Sequence, residues 1–201
     1  MKNQYNILIA GVGGQGNLVC GCVLAEAALQ QGLTPTTGET FGASRRGGTV
    51  LTHLRLDADD LGPLIPREQL DLLLGLEPLE SLRAAVDLAT SRTTAIISMT
   101  KIETPESIAG KVKYPEITEI KRSLRAICGK VYSLDPGRIF AETGTRRALN
   151  AYMLGAMVTS GVTSLTEEHI LRAIQTTLKE WDLNRVAFEA GKKDFRSLVD
   201  L

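Results

Sequence analysis

Short apolar runs alternate with segments of helical spacing through the first two thirds of the chain. Residues 5–11 (YNILIAG) form a β-branched apolar run that ends in glycine, a pattern typical of a strand buried on both faces. Residues 16–32 are rich in alanine and leucine and end at Gly32, which predicts a helix followed by a left-handed residue. A strand, a glycine-rich turn and a helix together make one βα unit.

The same alternation continues as far as residue 136, and the pattern becomes helical from Gly137 onwards. It predicts an α/β fold with a Rossmann-like, mainly parallel sheet, helices on both faces and a C-terminal helical cover. We expect one domain over residues 1–201, with the sheet core in about 5–136 and the helical part in about 137–201. Further strands are predicted at 49–56, 70–78, 93–100 and 130–135, and helices at 79–90 and about 117–127.

The second strand of a Rossmann unit is weak in this chain. Residues 33–40 carry almost no apolar signal, so we expect a loop there that contains Glu39. Glu39 lies about where dinucleotide-binding folds place an acidic residue for the ribose. A loop at this point therefore weakens a classical NAD interpretation.

Composition and charge narrow the class of partner. The 23 basic and 23 acidic side chains cancel, so there is no electrostatic reason to expect a nucleic-acid or membrane surface. No apolar run reaches the roughly 20 residues of a membrane helix, and the first apolar run is too short for a signal peptide. We therefore expect a cytoplasmic protein.

The three cysteines are Cys20, Cys22 and Cys128, without CxxC spacing. This pattern predicts neither a disulfide framework nor a metal or iron–sulfur site on the chain. No GxSxG, HExxH or Walker lysine motif is present. His53 and His169 have no paired ligand spacing, so we interpret both as structural or surface residues. The sequence contains no complete set of catalytic residues.

The glycines after the first strand are the first candidate site. Gly11, Gly13 and Gly16 have GxGxxG spacing, with Gly14 between them. Such a turn either brings backbone N–H groups to a phosphate or lets a helix pack closely on a strand. The spacing alone favours neither interpretation.

A second candidate lies in FGASRRGGTV, residues 41–50. It combines a hydroxyl, two guanidinium groups and flexible N–H groups, which together suit a phosphate or a carboxylate. A solvated basic turn before a strand is the alternative, and composition alone favours it. The residues concerned are Ser44, Arg45, Arg46, Gly47 and Gly48.

Two single residues complete the candidates. Glu77 ends the strand at 70–78, at the edge where open α/β sheets bind ligands, but it also suits the N-cap of the next helix. We weigh the cap above the ligand contact. Asn150 is a polar residue in a helix of small side chains, and we expect a satisfied buried amide there.

Four segments in order resemble one known family: ILIAGVGGQG, FGASRRGGTVLTHLRL, LLLGLEPLESLR and ALNAYMLGAM. They are similar to the gamma subunits of the 2-oxoacid:ferredoxin oxidoreductases, and most similar to the small (beta) subunits of the indolepyruvate branch. The resemblance runs from about Ile7 to Phe188. Where that family commonly has Ser-Gln-Arg-Gly-Gly, this chain has Arg45 in place of the glutamine.

The resemblance implies one subunit of an enzyme of EC 1.2.7 type. That enzyme would convert an arylpyruvate, coenzyme A and oxidised ferredoxin into an aryl-acetyl-CoA, CO2 and reduced ferredoxin. Thiamine diphosphate and iron–sulfur clusters would lie on a large (alpha) partner subunit, ferredoxin would be reached through the complex, and the isolated chain would be inactive. Coenzyme A is a possible ligand of this chain, at the glycine turn, the 44–48 segment or Glu77.

Two other functions fit the residues less well. One is a free-standing NAD- or FAD-binding oxidoreductase that uses the glycine turn and Glu39. The other is a nucleotide-sensing regulatory module without chemistry. Both would bind a nucleotide without a large partner subunit.

Overall fold

The computed structural model describes residues 4–42, 48–57, 62–103 and 113–199. These residues form a six-stranded sheet with helices on both faces, as the sequence predicts. The strands are β1 (Tyr5–Val12), β2 (Pro35–Phe41), β3 (Thr49–Leu56), β4 (Leu72–Gly75), β5 (Thr94–Ser98) and β6 (Lys130–Leu134). The helices are α1 (Asn17–Gln30), α2 (Pro78–Leu88), α3 (Ile117–Ile127), α4 (Gly137–Thr143), α5 (Leu149–Ser160), α6 (Glu167–Thr177) and α7 (Trp181–Val199).

The strand order is β2-β3-β1-β4-β5-β6. Strands β1, β4, β5 and β6 are parallel neighbours, whereas β3 is antiparallel to both β1 and β2. Five of the six strands therefore run in one direction, which confirms a mainly parallel sheet. Strands β1 and β2 run in the same direction, so their carboxyl ends lie on the same side of the sheet. The glycine turn after Val12 and the end of β2 at Phe41 are therefore both on that side.

The loop expected at residues 33–40 is wrong, because most of this segment belongs to β2. Strand β2 is at the sheet edge and alternates between half-buried and exposed residues, so it needs no apolar run. In the sequence PTTGETF, the three threonines are the feature that favours a strand, because threonine has a high β propensity. Glu39 points to solvent from this edge strand, in register with Thr52 of β3.

Each face of the sheet has its own apolar core. Side chains such as Ile7, Ile9 and Leu74 face α1 and the C-terminal helices, while Leu8 and Leu73 face α2 and α3. The predicted helical cover therefore lies on the same face as α1. None of the described helices is long and apolar enough to cross a bilayer.

Helices α5 and α7 cross at very short range. A Cβ atom built on Gly155 would lie 2.0 Å from the carbonyl oxygen of Phe188, and one on Gly191 would lie 1.9 Å from that of Tyr152. Both distances are far below van der Waals contact, so only glycine fits at either position without moving a backbone. This crossing fixes where the N-terminal ends of α5 and α7 stand beside the glycine turn.

Candidate functional site

A cleft of about 640 Å³ opens at the sheet edge where β1 ends. Its floor is the glycine turn between Val12 and Gly16, and one wall comes from Thr100 and Ile102 after β5. The opposite wall combines the short 3-10 turn before α5 with the connection between α6 and α7. The carboxyl ends of parallel strands are where open α/β sheets usually bind ligands.

The glycine turn places the start of α1 at this cleft. Gly14 and Gly16 have φ values of 104° and 81°, a region that side chains with a Cβ rarely adopt. Gly16 precedes α1, and no side chain caps the N–H groups of that helix end. Because the first N–H groups of a helix have no intrahelical partner, this end is a favourable place for an anion.

Three uncharged amide side chains hold the turn in place. Gln15 accepts from the Val12 N–H and donates to the carbonyl of Leu76, both at 2.8 Å. Asn17 donates to the carbonyl of Val50 at 2.8 Å, and Asn150 donates to the carbonyl of Gly16 at 3.1 Å. The turn is therefore tied by amide groups to β3, to α5 and to Leu76, which follows β4.

Asn150 approaches Gly16 closely, since a Cβ atom on Gly16 would lie 2.6 Å from its Nδ2 atom. The prediction that the Asn150 side chain is a buried, fully hydrogen-bonded amide is half correct. Nδ2 is paired with the Gly16 carbonyl, but Oδ1 is buried and has no hydrogen-bond partner among the described residues.

Three cations line the cleft with a single carboxylate. Arg146, Arg147 and Lys179 are exposed, and none has an ion-pair partner within the described part of the chain. Glu180 lies beside Lys179 with a strained φ of 61°. Three positive charges against one negative charge leave a positive surplus that complements an anionic ligand.

Apolar side chains line a further part of the cleft wall. It comes from the glycine turn, the first turn of α1, α4 and the N-terminal ends of α5 and α7. A ligand with both an apolar stretch and a negatively charged group matches such a surface. Together with Ile102 after β5, the apolar residues are Val12, Val19, Phe140, Leu149, Leu178 and Leu183.

Glu77 lies behind the cleft and caps α2. Its carboxylate accepts from the Glu80 N–H at 2.8 Å and from the Tyr114 hydroxyl at 2.5 Å, and only 1% of the residue is exposed. Burial raises the pKa of Glu77 above its ordinary value, although these hydrogen bonds oppose the rise. The cap is confirmed; Glu77 does not line the cleft, and its predicted contact with a cofactor stays a prediction.

The structure brings together part of the predicted site. Gly13, Gly14 and Gly16 line the cleft, whereas Gly11 lies within β1, where a Cβ atom would be 2.6 Å from Oε1 of Gln15. Gly11 thus has a packing role in the described structure.

The second glycine-rich segment meets the first at one end. The Gly13 N–H donates to the carbonyl of Gly48 at 2.9 Å, and the Gly42 N–H donates to Thr49 at 2.8 Å. Ser44, Arg45, Arg46 and Gly47 lie outside the described residues, so their predicted contacts stay predictions.

Sequence reasoning missed the basic residues of the cleft. Arg146 and Arg147 stand in TRRALN, directly before an almost wholly apolar helix, and Lys179 follows α6. Two adjacent arginines at the start of a buried helix were the available signal. The histidines lie elsewhere: buried His53 accepts from the Ile65 N–H, and His169 follows the N-cap Thr166 of α6.

Comparison with known proteins agrees with this fold. Residues 6–193 match the family described as pyruvate ferredoxin/flavodoxin oxidoreductase. The chain is 37% identical over 190 residues to indolepyruvate oxidoreductase subunit IorB of Archaeoglobus fulgidus, covering 94% of each chain. It is 31% identical to the subunit of the same name from Pyrococcus horikoshii, covering 98% of this chain and 99% of that one.

Solved structures show the same architecture. The gamma subunit of a keto/oxoacid ferredoxin oxidoreductase from Geobacter sulfurreducens has a TM-score of 0.66 at 24% identity and covers 96% of this chain and 99% of its own. A 2-oxoglutarate:ferredoxin oxidoreductase from Magnetococcus marinus has a TM-score of 0.68 at 19% identity over 98% of this chain and 32% of that one. The resemblance found in the sequence is thus confirmed, and the chain belongs to the pyruvate ferredoxin/flavodoxin oxidoreductase family.

Proposed function

We propose that this chain is the small subunit of an indolepyruvate-type 2-oxoacid:ferredoxin oxidoreductase, and that its cleft binds a phosphate-bearing part of coenzyme A. The observation that carries the proposal is one cleft in which three features meet: a helix end without a side-chain cap, three cations that have no ion-pair partner among the described residues, and apolar side chains. A phosphate matches the donors, and the thiol-bearing arm of coenzyme A matches the apolar wall. The enzyme would be a cytoplasmic complex.

The cleft contributes binding rather than bond-breaking chemistry. Its donors are backbone N–H groups, guanidinium groups and an ammonium group, which bind anions and carry no lone pair to act as a base or nucleophile. His53, whose pKa burial lowers, and Glu77, whose pKa burial raises, do not line it. The chain would therefore orient coenzyme A by its charged end, and the reacting groups would come from the large subunit.

Thiamine diphosphate and iron–sulfur clusters belong on that partner. No group of three or more His, Cys, Asp or Glu side chains is placed to hold a metal ion in the described residues. A cluster usually takes four thiolates, whereas the chain has three cysteines, and burial raises the pKa of Cys20 to about 12. The residues present do not fit a cluster.

The substrate class comes from the relatives. Both IorB subunits described above are named for an indolepyruvate oxidoreductase, and each matches almost the whole of this chain. An arylpyruvate would lose CO2 and be oxidised by two electrons, with its acyl group passing to the sulfur of coenzyme A. The electrons would leave through the clusters of the partner to ferredoxin.

A free-standing NAD- or FAD-binding enzyme fits the sheet order poorly. Strand β3 separates β2 from β1, so Glu39 stands two strands away from the glycine turn. In a classical dinucleotide-binding fold, the strand that carries the ribose-binding acid lies directly beside the strand that leads to the glycine turn. Neighbouring strands are about 4.8 Å apart, so here the distance between these two strands is doubled. Exposed Glu39 on an edge strand is therefore poorly placed to hold a ribose.

Co-expression with a large thiamine-dependent partner tests the proposal. The complex should reduce a one-electron acceptor only when indolepyruvate and coenzyme A are both present, and it should bind coenzyme A in a calorimetric titration. The chain alone should show no turnover. Arylpyruvate-dependent turnover by the isolated chain, or NAD or FAD binding tighter than coenzyme A binding, would refute it.

A further inference from the structure

Strand β2 leaves one margin of the sheet open. It is the first strand of the order, so among the described strands it has a neighbour on one side only. The Gly42 N–H donates to Thr49 of β3, and in an antiparallel pair every second residue bonds to the neighbouring strand. Thr37, Glu39 and Phe41 therefore point their N–H groups away from β3, and all three residues are exposed.

Exposed apolar side chains border this strand. Eight large hydrophobic side chains of the described residues are exposed, and half of them lie on β2 or beside it. Single exposed apolar residues are common on protein surfaces, but a concentration of them along one strand marks an interaction surface. The residues concerned are Leu18, Leu29, Phe41 and Leu64.

Phe41 lies on the face of β2 that α1 covers. It is paired with Val50, and paired residues of neighbouring strands share a face of the sheet. Thr52, two residues further along β3, has the same orientation, and its Cγ2 atom would lie 2.5 Å from a Cβ atom on Gly21 of α1. Phe41 is thus on the α1 face, and 65% of it is exposed.

Helix α1 continues the apolar surface of Phe41. By helical spacing Leu18, Cys22 and Leu29 share the flank of α1 that adjoins Gly21, whereas Val19 on the other flank lines the cleft. All three residues of the first flank are exposed. Because α1 runs antiparallel to β2, Leu18 lies towards the carboxyl end of β2 and Leu29 towards its start.

The opposite face of the strand carries Leu64. Gly38, the middle residue of β2, packs against the segment that contains it: a Cβ atom on Gly38 would lie 2.9 Å from Cβ of Pro63 and 3.3 Å from Cδ2 of Leu64. Leu64 is 47% exposed. Exposed apolar side chains therefore flank the edge strand on both faces.

We propose that β2 is a dimer interface, at which a second copy of this chain pairs its own β2 in antiparallel orientation about Gly38. In this register Thr37 lies opposite Glu39 of the other copy, and Pro35 lies opposite its Phe41. The two sheets then form one continuous sheet of twelve strands. The inference goes beyond the proposed function, because the pairing needs neither coenzyme A nor the large subunit.

This register satisfies the outward donors of both strands. Three outward N–H groups from each copy, those of Thr37, Glu39 and Phe41, meet outward carbonyls of the other copy, which gives six hydrogen bonds. Pro35 has no N–H, but it stands at the end of the strand and supplies its carbonyl. The exposed ring of Phe41 packs on proline, and each Glu39 carboxylate faces a threonine rather than another carboxylate.

A second copy matches this surface because the surface is symmetric about Gly38. A twofold axis at Gly38 brings Leu64 against Leu64 of the other copy. On the α1 face the same axis places Leu18 opposite Leu29 of the other copy, with Cys22 near the axis. A twofold interface requires one self-complementary patch, and these residues supply it. The patch is only about 20 Å long, so we expect a dissociation constant in the micromolar range.

Analytical ultracentrifugation of the full chain tests the dimer. The sedimenting mass should rise from the 21.7 kDa of one chain towards twice that value between about 1 and 100 μM. Thr37→Pro removes an outward N–H but no bond to β3, and should weaken dimerisation at least about tenfold. The control Thr37→Val keeps that N–H and should change it less than about threefold.

Phe41→Lys is a second disrupting variant, in case proline prevents folding. Because Phe41 is 65% exposed, its replacement should leave the fold intact and weaken the dimer through the lost contact with proline. Thermal unfolding of each variant checks that it is folded.

Cys22 reports on the register of the pair. It is exposed, whereas Cys20 and Cys128 are buried. A bismaleimide with a reach of about 10 Å, comparable to the spacing of packed helices, should join the Cys22 thiols of two copies. Cys22→Ser should abolish this product without changing the sedimenting mass, and Thr37→Pro should reduce it. The same cross-link should form in the complex with the large subunit.

Three results would overturn the inference. The first is a monomer at every concentration, both alone and in the complex. The second is a dimer that survives Thr37→Pro and Phe41→Lys or gives no Cys22 cross-link, because another face would then join the copies. The third is a complex with one copy of each chain, in which the large subunit shields Cys22 and occupies β2 itself. Each of these results leaves the coenzyme A proposal standing, since the cleft lies on the other flank of α1.

Discussion

Replacing Gly155 or Gly191 with alanine perturbs the crossing of α5 and α7. In an ordinary helix interior this change stabilises by about 1 kcal/mol, because alanine has the higher helix propensity. Here the added methyl carbon of Gly155→Ala would lie 2.0 Å from the carbonyl oxygen of Phe188. The closest tolerable Cβ contacts are above 3.0 Å, so the two helices must separate by about an ångström or more.

The cost follows from what that separation opens. Tyr152, Leu154 and Met157 of α5 are fully buried, so moving α7 away leaves gaps around well-packed side chains. Overpacking of this kind costs about 1 to 3 kcal/mol, which exceeds the gain in helix propensity. The net loss is then up to about 2 kcal/mol, and at about 2 to 4 °C per kcal/mol for a chain of this length the melting temperature should fall by up to about 8 °C. Asn150 and Asn184 move apart as well, so coenzyme A binding should also weaken.

Denaturant and thermal unfolding followed by circular dichroism measure the effect. The control is Gly137→Ala at the start of α4, where the added Cβ would meet only the Asp135 side chain, 3.1 Å away, and should change stability by less than about 0.5 kcal/mol. Because Gly155 and Gly191 act on one crossing, the double variant should lose less than the sum of the single losses. A stability gain in Gly155→Ala, or fully additive losses, would refute the reasoning.

Three further predictions concern titration, backbone strain and charge. Burial lowers the pKa of His53, so as the pH falls this histidine is protonated in the unfolded chain before it is protonated in the folded one. The free energy of unfolding should therefore decrease as the pH drops below about 6.5. His53→Asn should remove this decrease, as measured by urea titrations at about pH 5 to 7.5. Glu180→Asn should raise the melting temperature by about 1 to 3 °C, because asparagine tolerates the left-handed backbone at this position. It should also tighten coenzyme A binding, because it removes a negative charge from the cleft. The control Glu68→Asn, at φ 62° outside the cleft, should give only the gain in stability. Arg146→Ala should weaken coenzyme A binding about three- to tenfold, and the loss should be larger at low salt. Arg125→Ala on α3 is the control and should leave the binding unchanged. Equal effects of the two variants in calorimetry would contradict a cationic cleft.

The sheet was predictable where burial imposes a pattern. Strand β1 and strands β4 and β5 are buried on both faces, and their apolar runs locate them to within a few residues. Strand β2 was not predicted, because an edge strand has one unpaired side and needs no apolar run. The antiparallel direction of β3 could not be predicted either, because alternation shows which face is buried but not which way the chain runs.

The site was predictable only in its local part. The glycine turn is contiguous in sequence and was located, together with the cap at Glu77. Arg146 and Lys179 come more than 120 residues later, and only the packing of α5, α6 and α7 on the sheet brings them to that turn. Asn150 shows the same limit: its burial was predicted, but its bond to Gly16 depends on tertiary packing.

The pairing of β2 with β3 has a practical consequence for engineering. These strands are consecutive and antiparallel, with Phe41 opposite Val50, so the chain between them only has to reverse direction. Its length and composition are thus decoupled from the sheet, unlike those of a crossover that must span a helix. Lengthening or shortening that connection should therefore leave the register of β2 and β3 unchanged.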